Sequence, residues 1–254
     1  LKITFLGTGT SQGVPVIGCK GEVCRSEDPR DKRLRTSLLV EVDPVILCID
    51  TGPDFRQQML RAAHTHLDAV LYTHEHADHT AGIDDIRAFN LLQKGDIPLY
   101  GLPRVIDALE KRFDYIFQKN PYPGLPRVCV HRFTTEAFSV KGLCVQPIPV
   151  RHGKLLISGF RIRNMAYLTD VKSLEPEALR RLRNLDLLII SALRREKPHH
   201  AHALLHEALH YIEQLRPGQS YLTHISHEMG LHSAVEKTLP QGVSLAYDQL
   251  TLKL

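Results

Sequence analysis

Leu67-Asp-Ala-Val-Leu-Tyr72 runs directly into Thr73-His74-Glu75-His76-Ala77-Asp78-His79. The first half is a short apolar run bounded by polar residues, the pattern of a strand buried on both faces. The second half places three imidazoles and the Asp78 carboxylate within six residues. In an extended segment, side chains two apart point the same way, so His74 and His76 share a side. As the chain turns into the next helix, Asp78 and His79 come round to the same cavity. Buried without partners, four such groups would carry a desolvation cost that nothing offsets. A divalent metal removes the conflict, since neutral imidazole and carboxylate are good ligands for zinc and its borderline-hard neighbours. The ordinary alternative is a solvated loop rich in histidine, and the four-ligand spacing at a strand end argues against it.

On the N-terminal side, Ile3 to Leu6 reads as a strand, and Gly7-Thr8-Gly9-Thr10 as a bend that lets backbone come close to a site. The stretch to about Arg35 is irregular. Leu38 to Val42 and Val45 to Ile49 read as a hairpin, and Asp54 to Ala63 as a helix capped at the Gly52-Pro53-Asp54 turn. On the C-terminal side, helices are predicted over Ile83 to Leu92, Pro103 to Phe113, Pro176 to Leu182 and Leu204 to Leu215. Strands are predicted over Val128 to Phe133, Cys144 to Val150, Ile157 to Ile162, Met165 to Leu168 and Leu185 to Ile190, with a closing pair at Gln219 to Leu222 and Ser244 to Leu254. Asn120-Pro-Tyr-Pro-Gly-Leu-Pro126 is too proline-rich for either structure and suits a lid. Tyr115 to Arg127 either borders a substrate pocket or only bridges two strands. Strands and helices mixed in two halves fit an α/β class with two packed sheets and helices outside.

The chain has 254 residues, and its 43% hydrophobic and 24% charged content supplies a sizeable core. One domain over residues 1–254 is the expectation. The net charge of +4 is spread among acidic residues, which argues against a dedicated nucleic-acid-binding surface and leaves a small anionic substrate compatible. No apolar run approaches the roughly 20 residues needed to span a bilayer, and Leu1 to Leu6 reads as a strand rather than a signal peptide, so a cytoplasmic location is expected. Of five cysteines, Cys48, Cys129 and Cys144 sit alone in apolar strand-like runs, which speaks against disulfides.

His-x-His-x-Asp-His after an apolar strand is the signature of the metallo-β-lactamase superfamily, and the chain resembles that family along its whole length. The resemblance implies an αβ/βα four-layer sandwich of two mixed sheets, with metals at the edge where loops meet. It also implies that His152 in Pro149-Val-Arg-His-Gly153, Asp170 in Leu168-Thr-Asp-Val171 and His224 in Leu222-Thr-His224 complete the ligand set. His74, His76 and His152 would then hold one metal and Asp78, His79 and His224 the other, with Asp170 and a nucleophilic hydroxide between them. Zinc and manganese both suit these ligands. Two divalent cations, two aspartates and one hydroxide leave about one positive charge, which favours a phosphodiester anion over a neutral amide. His202 in Pro198-His-His-Ala-His202 matches the histidine that assists the leaving group, with His199 and His200 as neighbours that can be mistaken for it. Asp50 in Cys48-Ile-Asp-Thr-Gly52 resembles the aspartate that orients a ligating imidazole, or is a turn residue ending a strand.

Within the superfamily, Gly13 to Cys19, Cys24, Asp28 to Ser37 and Thr223-His-Ile-Ser-His227 resemble the phosphoribosyl 1,2-cyclic phosphate phosphodiesterases of phosphonate breakdown. That subfamily implies a small, cyclic phosphodiester substrate, a homodimer and a structural zinc held by Cys-x-Cys-x-x-Cys and a histidine. Cys19, Cys24 and His227 match three of those four ligands, and Gly21 occupies the fourth position. Either zinc is completed by water or Glu22, or the loop carries two free thiols. Two other readings share the fold. A tRNA 3′-end processing endonuclease would need a basic arm that the chain lacks, and a non-hydrolytic binding protein of coenzyme biosynthesis would have altered metal ligands. A lactamase or thioester hydrolase fits less well, the former being usually secreted and the latter lacking the Cys19 to Cys24 loop.

Overall fold

The computed structural model describes residues 1–118 and 122–254; Asn120 and Pro121 of the proline-rich stretch lie outside the described residues. Along the chain the strands are β1 (Lys2–Gly7), β2 (Ser37–Val42), β3 (Val45–Ile49), β4 (Ala69–Leu71), β5 (Ile97–Gly101), β6 (Val128–Arg132), β7 (Phe138–Val140), β8 (Leu143–His152), β9 (Leu155–Ile162), β10 (Met165–Leu168), β11 (Leu187–Ser191), β12 (Gln219–Thr223), β13 (Val243–Leu245) and β14 (Thr251–Lys253). The helices are α1 (Glu22–Arg25), α2 (Phe55–Ala62), α3 (Ala77–Thr80), α4 (Arg87–Gln93), α5 (Pro103–Arg112), α6 (Pro176–Arg181), α7 (Leu205–Leu215) and α8 (His232–Glu236).

Two seven-stranded sheets result, ordered β14-β1-β2-β3-β4-β5-β6 and β13-β12-β11-β10-β9-β8-β7. Each combines an antiparallel part with a run of four parallel strands, β3 to β6 in one and β10 to β13 in the other. The layering follows from the period of two along a strand. In β10 and β11, Met165, Tyr167, Leu187 and Ile189 join the core between the sheets, where they meet Ile3, Phe5, Leu38 and Val40. Their alternates Ala166, Leu168, Leu188 and Ile190 join a second core beneath the helices that cover that sheet. Leu39, Cys48 and Val70 face a third core with Phe55, Phe89 and Leu109 on the opposite outside. Strands covered on both faces have no polar alternation, which is why they read as unbroken apolar runs.

Several expectations need correction. Ser244 to Leu254 is two strands, not one: β13 pairs with β12, and β14 crosses to the first sheet beside β1. Between them the Asp248 carboxylate accepts from the Thr8 and Leu34 backbone N–H groups at 3.0 and 2.8 Å, and Gln249 takes φ 69°, so the chain turns away from the second sheet. Asp54 is the N-cap residue of α2 but its side chain makes no capping bond; its carboxylate accepts from Arg35 N and pairs with the Arg35 guanidinium at 3.0 Å. The segment Ile83 to Leu92 splits into a 3-10 turn and α4. β8 runs on to His152 despite Pro147 and Pro149. On its β7 side the ladder ends at Val145, and further along only Arg151 forms an isolated bridge, with Ser173, so neither proline interrupts the β7 pairing.

Candidate metal centre

In open α/β sheets, ligands collect beyond the carboxyl ends of parallel strands, where loops can converge without breaking the ladder. Here β3 ends at Asp50, β4 leads into Tyr72 to His79, β10 into Asp170, β11 into the loop carrying His202, and β12 into His224. His152 is the last residue of β8. Asp50, Asp170 and His224 all have left-handed backbone, with φ of 65°, 54° and 55°. Such conformations cost a non-glycine residue about 1–3 kcal/mol each and persist only where surrounding packing over-determines them.

The structure brings the eight residues His74, His76, Asp78, His79, His152, Asp170, His202 and His224 together. Potential ligand atoms of His74, His76 and His152 lie within 4.8 Å of one another, as do those of Asp78, His79 and His224. Asp170 forms further groups of this kind, one with His74 and His79 and one with His152 and His202. His79 Nε2 is 3.2 Å from Asp78 Oδ2 and 3.2 Å from Asp170 Oδ2, and His224 Nε2 is 3.3 Å from Asp170 Oδ1. His202 Nδ1 is 3.7 Å from Asp170 Oδ1.

Hydrogen bonds behind the cluster fix which nitrogen faces it. His79 Nδ1 donates to Asp50 Oδ2 at 2.7 Å, and Asp50 also accepts from Thr73 N at 2.9 Å and Thr73 Oγ1 at 2.8 Å. Having given its proton to Asp50, the Thr73 hydroxyl accepts from His74 Nδ1 at 3.0 Å. His152 Nδ1 donates to the Ala201 carbonyl at 2.8 Å. Three imidazoles are therefore held with Nε2 lone pairs aimed inward, the arrangement found behind ligating histidines. Thr73 and the Ala201 carbonyl were not singled out by the sequence. Thr73 is adjacent to the motif and detectable there, whereas a backbone carbonyl carries no residue-type signal.

Facing inward, His79 Nε2, His202 Nδ1 and His224 Nε2 are buried with no hydrogen-bond partner, and His224 Nδ1 is also buried without one. Carboxylates stand near them, out of hydrogen-bonding geometry, and orphaned buried polar atoms of this kind call for an explanation. Cations supply one, and the donor set of imidazoles and carboxylates fits them. Without a cation a proton takes that place. Burial opposes a charge on His79, but Asp78, Asp170 and Asp50 outweigh it and hold the ring protonated well above its ordinary range. Burial would raise Asp78 and Asp170, yet the facing imidazoles hold both carboxyls well below the usual carboxylate range. Burial, with His224 beside it, pushes His202 down to about 3, so that ring is neutral.

Glycine is required close by. A Cβ on Gly52 would sit 2.2 Å from the Asp78 carbonyl oxygen, so the loop after β3 can pass beneath α3 only without a side chain. A Cβ on Gly9 would sit 2.9 Å from the Arg33 and Leu34 carbonyl oxygens, and Thr10 N bonds Ile225 O, so that bend braces the His224 loop.

Cys19, Cys24 and His227 are not among the groups whose ligand atoms lie within 4.8 Å. Cys24 is buried in a small cluster with Val14 and Val23, against which Cys19 packs. Its Sγ accepts from Val16 N at 3.4 Å, and Cys19 Sγ accepts from Gly21 N at 3.4 Å. With Gly21 at the fourth position, the residues present do not form the closed four-ligand set of a structural zinc. His227 Nδ1 is nevertheless buried and unpartnered, beside a hollow of about 580 Å³.

No described helix is long and apolar enough to cross a membrane. Residues 46–225 match the beta-lactamase superfamily domain. A diphosphatase from the PhnP family is similar in structure with a TM-score of 0.93 and 41% sequence identity, covering 100% of this chain and 97% of that one. Zinc-bound PqqB from Methylobacterium extorquens shares the fold at a TM-score of 0.79 and 18% identity, with 100% of both chains covered. An octanoyltransferase of Porphyromonas gingivalis is 42% identical over 98% of this chain but only 51% of its own length, so the chain spans about half of that relative.

Proposed function

The chain belongs to the beta-lactamase superfamily, and from that premise we propose that it is a metal-dependent phosphodiesterase acting on a small, cyclic phosphodiester. The observation that carries this reading is the convergence of eight imidazole and carboxylate side chains, among which His79, His202 and His224 have buried ring nitrogens without a protein partner. His74, His76 and His152 would hold one divalent cation, zinc or manganese, and Asp78, His79 and His224 a second, with Asp170 facing both. When bound, such a pair activates water for attack and neutralises charge on phosphoryl oxygens.

The chain's own residues do the rest. Asp50 and Thr73 hold His79 and His74 in the tautomers that present Nε2, and the Ala201 carbonyl does the same for His152. Asp78 and Asp170 remain carboxylates, so the site keeps two fixed negative charges against four from the cations. The resulting positive balance draws an anionic substrate. His202 is neutral in the free protein. A phosphate anion beside it favours its protonated form, and its Nδ1 then delivers that proton to the departing oxygen, a role that contributes about 10²- to 10⁴-fold.

A second reading, cleavage of a phosphoanhydride, is favoured by the similarity to a diphosphatase at 41% identity. Both are separated by turnover of bis(p-nitrophenyl) phosphate, 2′,3′-cyclic nucleotides and a nucleoside diphosphate after reconstitution with zinc and with manganese. A lactam and an acyl thioester serve as controls, the thioester testing the acyl-transfer name of the Porphyromonas relative. The expected result is diester turnover lost in Asp78→Ala. Turnover of the diphosphate alone moves the reading to the anhydride, and activity confined to the lactam or thioester overturns both.

A further inference from the structure

Helix α7 carries a motif that the centre does not use: His206-Glu207-Ala208-Leu209-His210, a His-Glu-x-x-His helix of the kind that binds zinc through its two histidines. Glu207 is committed elsewhere. Its Oε2 accepts from Leu204 N at 2.7 Å and its Oε1 from Lys172 Nζ at 2.8 Å, so it caps the helix and is not free as a base. The buried face of the helix is Ala208 and Ile212. His206, His210 and Glu213 are exposed, four and then three residues apart, which stacks them on the solvent side with neighbouring Cβ atoms about 5–6 Å apart. Together with Arg216, Ser220 and Gln241 they line a hollow of about 560 Å³ between α7 and the turn before β13. Among the described residues, none of the three enters a hydrogen bond or salt bridge, so all three are available to a ligand.

We propose that this face of α7 is a separate metal site, in which His206 and His210 chelate one divalent cation of the zinc, copper and nickel class. Glu213 adds a carboxylate one turn on, and water completes the shell. The ligand atoms of the three do not all lie within 4.8 Å of one another in the free chain, so binding turns these exposed side chains toward one ion, and the second contact forms at high effective concentration. The ion clamps the first turns of the helix that follows directly on His202 and that Glu207 ties to Lys172, two residues beyond Asp170.

The probe is copper(II) iminodiacetate, followed by electron paramagnetic resonance on the full chain after its centre has been loaded with zinc. The bulky chelate reaches exposed histidine pairs but not His74 or His79, which have no exposed surface. A single micromolar equivalent is expected, displaced by free zinc, with roughly tenfold or greater weakening in His206→Ala and in His210→Ala, and a smaller loss in Glu213→Gln. Alanine favours helix, so far-ultraviolet circular dichroism of these variants should match the parent. Unchanged binding in the double variant would overturn the assignment and move the copper to His199 and His200, whose rings stack at 4.6 Å.

Discussion

Two regions of this molecule hold metal-ligating residue types, and the fold treats them differently. Around the strand ends His74, His79, Asp170 and His224 are almost inaccessible, and ring nitrogens of His79, His202 and His224 are buried with no protein partner. In the loop after Val14, Cys19 is partly exposed, Cys24 is packed among valines, and both sulfurs already accept a backbone N–H. The first region is polar material buried in excess of what the protein satisfies; the second is nearly self-sufficient. The type of a side chain thus says less about metal binding than whether the surrounding structure leaves its lone pairs in deficit. Only His227, with an orphaned Nδ1, gives the loop any of the character of the centre.

The largest effect that would sharpen this contrast is expected from Asp170→Ala. It removes the carboxylate common to two ligand groups and should lower metal content and reduce turnover by about 10³-fold or more, read by elemental analysis beside kinetics. Next, His202→Ala should lower turnover by about 10²- to 10⁴-fold with metal content unchanged. Near-normal turnover of a substrate with a poor leaving group would remove His202 from its role. Asp50→Asn keeps the shape but weakens the acceptor behind His79 and Thr73, and should weaken metal binding by about 10- to 100-fold. The loop should respond in the opposite sense. After desalting, the parent is expected to retain two metals per chain, and Cys24→Ser to retain the same number. Gly21→Cys, whose new Cβ would meet Cys19 Sγ at an unstrained 3.4 Å, should gain a third. A third tight metal in the parent that Cys24→Ser loses would erase the distinction between the regions.

The centre was legible in unequal parts. His74 to His79 could be read directly because six consecutive residues carry the pattern and an apolar strand delivers them. His152, Asp170 and His224 are separated from it by long stretches of chain, so no local spacing marks them. They were found through resemblance to a family, and only the packing of two sheets makes them neighbours. The Ala201 carbonyl lay beyond any reading of residue types. In the fold, apolar runs located the buried strands well. The same rule merged β13 with β14, because their separation depends on Asp248 reaching Thr8 and Leu34, more than 200 residues away. Asp54 looked like a cap from its position, but Arg35, brought alongside by the fold, claims its carboxylate.

Because His74, His76, Asp78 and His79 follow strands of one sheet and His152, Asp170, His202 and His224 follow strands of the other, a cation at this edge is also a mechanical fastener. It would join the two halves at their margin, while the apolar residues shared between the sheets hold the interior. Chelation should therefore leave the sandwich assembled and open it only along one seam. Amide hydrogen exchange would record this as faster exchange in the loops after β4, β10, β11 and β12, with the strands between Ile3 and Val40 and between Met165 and Ile189 still protected. On the proposed reading, metal supply would govern the stiffness of this edge as well as its chemistry.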